Sequence, residues 1–413
     1  MVRMKIWVLG CLVTLLFLAT SVHAVPAATI MWSSYFGDTT EDGGGVGVDT
    51  AGNLYYVGET YAGWSSGATG GDIFVVKVNP SGATTWNLLV GGVNDECMNN
   101  ATSDEAGNMY IVGDTLSAGW INNGYDTTYN GGSNWGDGYV MKVSPTGTVL
   151  WSSYIGGAGE DGAYGVAVDS AGNVFVSGHT QSSGWVKNGY DTTFNGGTWD
   201  GYLAKFSPSG NMLWSTYIGG SADEEGGWVT VDKAGNAYMT GVTASSGWTS
   251  IGSYNGGVSD AYIAKVNANG SLGWTQCYGG SDDDRGHGIA IDPTGTYLYL
   301  SGRTKSDGGW IVGGYDTTYN NHDAFVLKLR ASDGVYQWGT YLGGAQEDEA
   351  YGLAVNKNGD VFVCGYTQSA DWTSMGPDSS INGEDDGFAA KLSSSGSLVW
   401  STYLGGSNND HAY

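Results

Sequence analysis

A tryptophan-led segment recurs seven times along this chain of 413 residues, and no other feature limits the fold so tightly. It reads WSSYFG from Trp32, WNLLVGG from Trp86, WSSYIGG from Trp151, WSTYIGG from Trp214, WTQCYGG from Trp274, WGTYLGG from Trp338 and WSTYLGG from Trp400, at intervals of 54 to 65 residues. Between copies lie three further runs, clearest as GVAVD (Gly165 to Asp169), NVFVSG (Asn173 to Gly178) and DGYLAKF (Asp200 to Phe206). Each is short, rich in β-branched and aromatic residues and bounded by turn formers, so each unit holds four strands. A recurring D-x-x-G-N, as in Asp169/Gly172/Asn173, supplies a capping carboxylate and a glycine for the first hairpin, and Pro145/Gly147 and Pro208/Gly210 mark the third. A lone four-stranded meander cannot bury both its faces, whereas units stacked radially can. The expected fold is all-β: a β-propeller of four-stranded antiparallel blades, with six complete repeats plus parts of a seventh.

The succession W-S-T-Y-x-G-G, an acidic loop, G-x-A-V-D-x-x-G-N-V-x-V-x-G-x-T and D-x-F/Y-x-x-K resembles the SBBP (seven-bladed β-propeller) repeat family of exported bacterial proteins. The resemblance implies a propeller fold and no common activity, because that family is defined by its repeat. By analogy with propellers, the G-x-A-V-D strand is expected to line the channel and the Trp strand to lie outermost. Counting outward from the channel gives six blades, an extra outer strand near Trp32, and a final segment, Ser407 to Tyr413, that matches Gln346 to Tyr351 of the preceding copy. Two closures fit: a truncated chain whose seventh blade shares the Trp32 strand, or six blades with one strand to spare. Truncation is the expectation.

Arg3 and Lys5 precede an apolar run from Ile6 to Ala19 and a small-residue site at Val22-His23-Ala24, the pattern of a signal peptide over residues 1–24. Residues 25–413 then form a single propeller domain that is secreted or held at the cell surface. Cys97, Cys277 and Cys364 remain, an odd number at unrelated spacings that suggests neither a disulfide framework nor a thiolate metal site. With 41 acidic against 15 basic residues and a net charge of −26, nucleic acid and anionic membranes are poor partners.

The loop from each Trp strand to the next channel strand carries an acid at one equivalent position: Asp42, Glu96, Asp161, Glu224, Asp284, Asp348 and Asp410. Carboxylates around one mouth of a channel suit a hard cation such as calcium; the competing explanation is that each caps its own glycine-rich loop. A tryptophan recurs in the loop between second and third strands. In three copies, at Trp120, Trp185 and Trp310, it precedes a G-Y-D-T-T segment with Tyr125/Asp126, Tyr190/Asp191 and Tyr315/Asp316. Aromatic faces beside carboxylates are what sugar sites use, although one Trp per blade also serves as a packing anchor. Lys77, Lys142, Lys205, Lys265, Lys328 and Lys391 sit between apolar neighbours in the third strand, and the acid ending the channel strand is the expected partner.

No H-E-x-x-H pair or G-x-S-x-G elbow occurs. Catalysis needs asymmetry, so departures from the repeat are where activity would reside, and Asp284-Arg285 with His287 is such a departure. The leading expectation is a non-catalytic extracellular binding or scaffold module, with cation-dependent recognition of a glycan or protein on the loop-rich face. The alternative is a polysaccharide hydrolase or lyase that uses carboxylates at the channel mouth.

Overall fold

The computed structural model describes residues 44–60, 71–132, 134–370 and 372–413, together with the backbone of a short antiparallel pair, Val2–Met4 with Leu15–Phe17. The Trp32 strand, Asp42, Trp64 and most of the signal segment lie outside the described residues.

Six four-stranded antiparallel blades radiate around a channel, forming a six-bladed β-propeller, and no helix occurs among the described residues. Blade 1 runs through Gly44–Val48, Leu54–Thr60, Asp72–Val78 and Thr84–Val90, and blade 2 through Glu96–Ser103, Met109–Thr115, Asp137–Val143 and Val149–Ile155. Blade 3 comprises Asp161–Val168, Val174–Thr180, Asp200–Phe206 and Met212–Ile218; blade 4, Glu224–Val231, Ala237–Thr243, Asp260–Val266 and Leu272–Tyr278. Blade 5 comprises Asp284–Ile291, Tyr297–Thr304, Asp323–Arg330 and Tyr336–Leu342; blade 6, Asp348–Val355, Val361–Thr367, Asp386–Leu392 and Leu398–Leu404. In each, the G-x-A-V-D-type strand is innermost and the Trp strand outermost, as expected from the repeat.

The turns form as their residues dictate. Asp169 accepts from Asn173 N at 2.8 Å and Asn173 Nδ2 at 2.8 Å, while Gly172 takes φ 80°, where a Cβ costs energy. Strand residues alternate between the two faces of each blade, and apolar layers fill the gaps between neighbours. One such layer joins Val112, Val140 and Trp151 of blade 2 to Val174, Val176 and Phe206 of blade 3. Comparable layers join blades 1–2, 3–4, 4–5 and 5–6. The remaining face of blade 1 (Val46, Leu54, Tyr56, Phe74, Val76, Val78) and that of blade 6 (Phe362, Cys364, Ala389, Trp400, Leu404, with Ala412) form clusters of their own.

The outer-strand tryptophan fastens its blade to the next. Trp151 Nε1 donates to Pro208 O at 3.0 Å and Trp214 Nε1 to Ala268 O at 3.2 Å, each carbonyl lying in the third hairpin of the following blade. Gly210 and Gly270 of those hairpins rest on the indole faces; a Cβ on Gly210 would collide with Trp151, and one on Gly270 would stand tight against Trp214 at 3.1 Å. Trp86, Trp274 and Trp338 repeat the arrangement with Pro145, Ala331 and Ser394.

The six third-strand lysines lie 4.7 to 5.5 Å from second-strand rings: Tyr55, Tyr110, Phe175, Tyr238, Tyr299 and Phe362. The expected acid partners occur at Lys77–Asp49 (3.8 Å) and Lys205–Asp169 (3.9 Å). In blade 6 the turn reads N-x-x-G-D, and Lys391 pairs instead with its last residue, Asp360, at 2.9 Å.

Near its start, each inner strand of blades 2 to 6 slips register against the second strand, leaving Asn99, Tyr164, Gly227–Trp228, His287–Gly288 and Tyr351–Gly352 out of the ladder. Such bulges re-aim side chains at a rim. Here they turn the variable positions of the inner strand toward the channel mouth.

Candidate functional site

The seven acids come first. Asp161 is fully buried; its Oδ2 accepts from Gly157 N at 2.7 Å and Ser182 Oγ at 2.7 Å, and its Oδ1 from the Thr180 hydroxyl. Glu96, Glu224, Asp284 and Asp348 hold the glycine pair and second-strand threonine of their own loops in the same way. Asp410 accepts from Gly406 N at 2.5 Å. Burial pushes Asp161 and Asp348 up to about 6 against those hydrogen bonds, and raises Glu96, Glu224, Asp284 and Asp410 as well. These acids occupy separate blade junctions, and among the described residues no three His, Cys, Asp or Glu side chains come together to hold a metal ion.

The loop tryptophans point inward. Trp120 and Trp185 donate to Thr115 and Thr180 Oγ1 at 3.0 and 3.1 Å, and Trp120, Trp185 and Trp310 meet Tyr139, Tyr202 and Phe325 edge-on at 5.0 to 5.2 Å. The G-Y-D-T-T segments run alongside the outer strand of their own blade through single parallel bridges, Asn123 with Ser152 and Asn188 with Ser215. Asp126 O accepts from Tyr154 N, Asp191 O from Tyr217 N and Asp316 O from Tyr341 N, so the segment satisfies an otherwise open sheet edge. Tyr125, Tyr190 and Tyr315 remain partly exposed, with Lys187 Nζ 3.8 Å above the Tyr125 ring. Tyr125, Asp126 and Trp185 are brought together along a cleft of about 390 Å³ between blades 2 and 3.

A second pocket, of about 480 Å³, opens at the channel mouth where the blades differ. Its walls are Trp135 from the loop of blade 2; Tyr164, His179 and Trp199 of blade 3; Glu225 and Trp228 of blade 4; and Arg285 and His287 of blade 5. Tyr164, Trp228 and His287 are bulge residues, and His179, Val242 and Arg303 are their neighbours on the second strands, opposite Gly162, Glu225 and Arg285. Trp135 is 57% exposed, an unusual position for an indole without a ligand. His179 is wedged between the rings of Tyr164 (4.7 Å) and Trp199 (4.4 Å), and burial lowers it to about 4, so it is neutral.

The polar wall is fixed by a charge network. Asp283 receives Arg285 Nε at 3.3 Å and Arg303 Nη2 at 3.0 Å, which lets two arginines stand on opposed strands. Those cations, with Ser259, hold the Asp283 carboxyl below its usual range despite burial. Arg285 Nη1 also lies 3.6 Å from Glu225, and His287 Nε2 lies 2.5 Å from Glu349. Arg285 and His287 were legible as departures from the repeat; Trp135, Tyr164, His179, Trp199, Glu225 and Trp228 were not singled out. Variation at the second, fourth and fifth residues of an otherwise uniform inner strand reveals Glu225, Tyr164 and Trp228; Trp135 and Trp199 lie in loops and His179 on a second strand, outside that signal.

Blades, channel and asymmetric mouth define the chain as a β-propeller repeat protein. More narrowly, it carries the SBBP β-propeller repeat, whose family model matches residues 150–184, 213–247 and 337–371. The regulatory protein FlaEY of Caulobacter vibrioides is 23% identical over 356 residues, covering 81% of this chain and 36% of that protein; the chain thus spans about a third of that relative's length. Among solved structures, a protein of unknown function from Dyadobacter fermentans aligns over 79% of this chain and 90% of that one, with 12% identity and a TM-score of 0.43. A gluconolactonase from Xanthomonas campestris aligns over 65% and 70%, with 13% identity and a TM-score of 0.32.

Proposed function

We propose that the protein is an exported, non-catalytic binding module that recognises carbohydrate in the channel-mouth pocket of blades 2 to 5. The observation that carries this reading is the pocket's composition. Three indoles and a phenol offer faces for the apolar sides of sugar rings, and Glu225, Arg285 and His287 offer hydrogen bonds at their margin. Its size lies within the usual range for small-ligand sites. The charge network holds the polar groups in place before a ligand arrives, which limits the ordering cost of binding.

The test is a glycan screen on the purified chain, followed by calorimetry on the best hit. Trp228→Ala should weaken binding about tenfold or more, given ~1.4 kcal/mol per tenfold, without altering the fold by circular dichroism. A screen without hits, or full affinity in both Trp228→Ala and Trp135→Ala, would refute the reading. Release of reducing ends or unsaturated sugars from the bound glycan would replace binding with catalysis.

The segment Gly405–Tyr413 supports reading a seventh unit. Asp410 caps Gly406, Ala412 N donates to Gly365 O at 3.2 Å, and Tyr413 stacks on Tyr351 at 4.5 Å, so the segment lies against blade 6 as the start of each inner strand lies against the preceding blade.

A further inference from the structure

At four junctions, the acid opening an inner strand donates its backbone N–H to the carbonyl just before the aspartate opening the third strand of the preceding blade (Asp161 to Gly136 O, Glu224 to Trp199 O, Asp284 to Ser259 O, Asp348 to His322 O), which sets Asp137 beside Asp161, Asp200 beside Glu224, Asp260 beside Asp284 and Asp323 beside Asp348. All eight are 1% exposed or less. None enters an ion pair with a Lys, Arg or His of the described residues. Lys77, Lys205 and Lys391 pair instead with the turn carboxylates Asp49, Asp169 and Asp360. Two buried, uncompensated carboxylates side by side are costly in any fold.

The two members of each pair are not equivalent. Asp284 is satisfied: its Oδ2 takes Gly280 N and Ser306 Oγ, both at 2.7 Å, and its Oδ1 takes the Thr304 hydroxyl. Asp260 has one protein donor, Asn255 N to Oδ2 at 2.7 Å, and its buried Oδ1 has no partner. The same oxygen is orphaned in Asp137, Asp200 and Asp323. In the Asp260–Asp284 pair the orphan faces the partner carboxylate: a Cβ on Gly279 would stand 2.6 Å from Asp260 Oδ1 and 2.6 Å from Asp284 Oδ2. The first glycine of the Gly-Gly step therefore keeps this space clear.

We propose that a calcium ion binds at each of these four junctions, held between the orphaned aspartate oxygen and the acid of the following blade. An all-oxygen setting suits a hard cation. Calcium, which tolerates six to eight ligands and irregular geometry, completes its shell with backbone carbonyls and water more readily than magnesium, which demands a near-ideal octahedron. The sites stand on different residues from the aromatic pocket and do not depend on its ligand.

The experiment uses the full chain, stripped with EGTA and dialysed against calcium at constant ionic strength. Bound calcium is measured by atomic absorption, and melting is followed with and without the metal. One ion per junction and a higher Tm in calcium are expected. Asp260→Asn should lose one ion while melting, metal-free, at or above the unsubstituted chain, because a buried charge has gone; Asp200→Asn should do the same. No retained calcium with identical melting in EGTA would overturn the proposal. So would calcium binding whose stoichiometry neither substitution changes.

Discussion

His179 shows how one side chain can record its surroundings in a pH profile. Its ring is enclosed by Tyr164 and Trp199, its Nδ1 is buried without a partner, and desolvation lowers it to about 4. The unfolded chain takes up the proton near pH 6.5, well before the folded one does. The neutral ring's contribution is therefore complete above about pH 6.5 and is lost as pH falls toward 4, on the order of 3 kcal/mol in all. Melting curves recorded from pH 7.5 to 4.5 should show the unsubstituted chain losing stability relative to His179→Phe on acidification; a constant difference between the two would show that the histidine carries no such charge penalty. At this scale the sequence was only partly legible. Arg285 and His287 stand out because a guanidinium and an imidazole side chain replace glycine and tyrosine in a repeated strand. Trp228 does not, because what brings it to the mouth is a bulge, and a slip in pairing leaves no trace in the alternation of apolar and polar residues.

At the scale of the element, the four-strand unit, its turns and its order were readable because each depends on local chemistry: β-branched runs, Asp caps and glycines at positive φ. The tasks of the longer loops were not, since they depend on neighbours distant in sequence. The G-Y-D-T-T segment suggests sugar contacts on composition, yet its backbone seals the edge of its own blade. Asp191 anchors that turn by accepting from Thr193 N at 2.9 Å. Asp191→Ala should therefore cost about 1 kcal/mol in urea denaturation and leave glycan affinity at the channel mouth unchanged. The outer tryptophan reads as a strand former but acts between blades. Trp214→Phe, which removes the bond to Ala268 O, should destabilise by about 1 kcal/mol, and Trp214→Ala by about 3 to 5 kcal/mol. If Trp214→Phe costs nothing while Trp214→Ala costs several kcal/mol, the indole N–H has no part in the junction and ring packing alone holds it.

Over the whole molecule, the repeat that makes the fold legible also explains why function is not. Uniform positions are occupied by residues that each blade needs for itself, so the loop tryptophans recur without marking a ligand. The asymmetric residues are few and lie scattered over four blades that only the folded ring of strands brings together. Charge acts at this scale too. With 41 acidic and 15 basic residues, the folded chain concentrates like charges that unfolding would spread apart, so self-repulsion destabilises the compact state. Salt screens that repulsion, the Debye length falling from about 30 Å at 0.01 M to about 3 Å at 1 M. In EGTA, Tm should rise steadily as sodium chloride increases across this range. A Tm that falls instead would mean that the attractive contacts of Arg285 and Arg303 with Asp283 and Glu349 outweigh the general repulsion. At a fixed high salt concentration, any further rise on adding micromolar calcium cannot come from screening, since so dilute an ion leaves the Debye length unchanged; it must come from occupancy of specific sites.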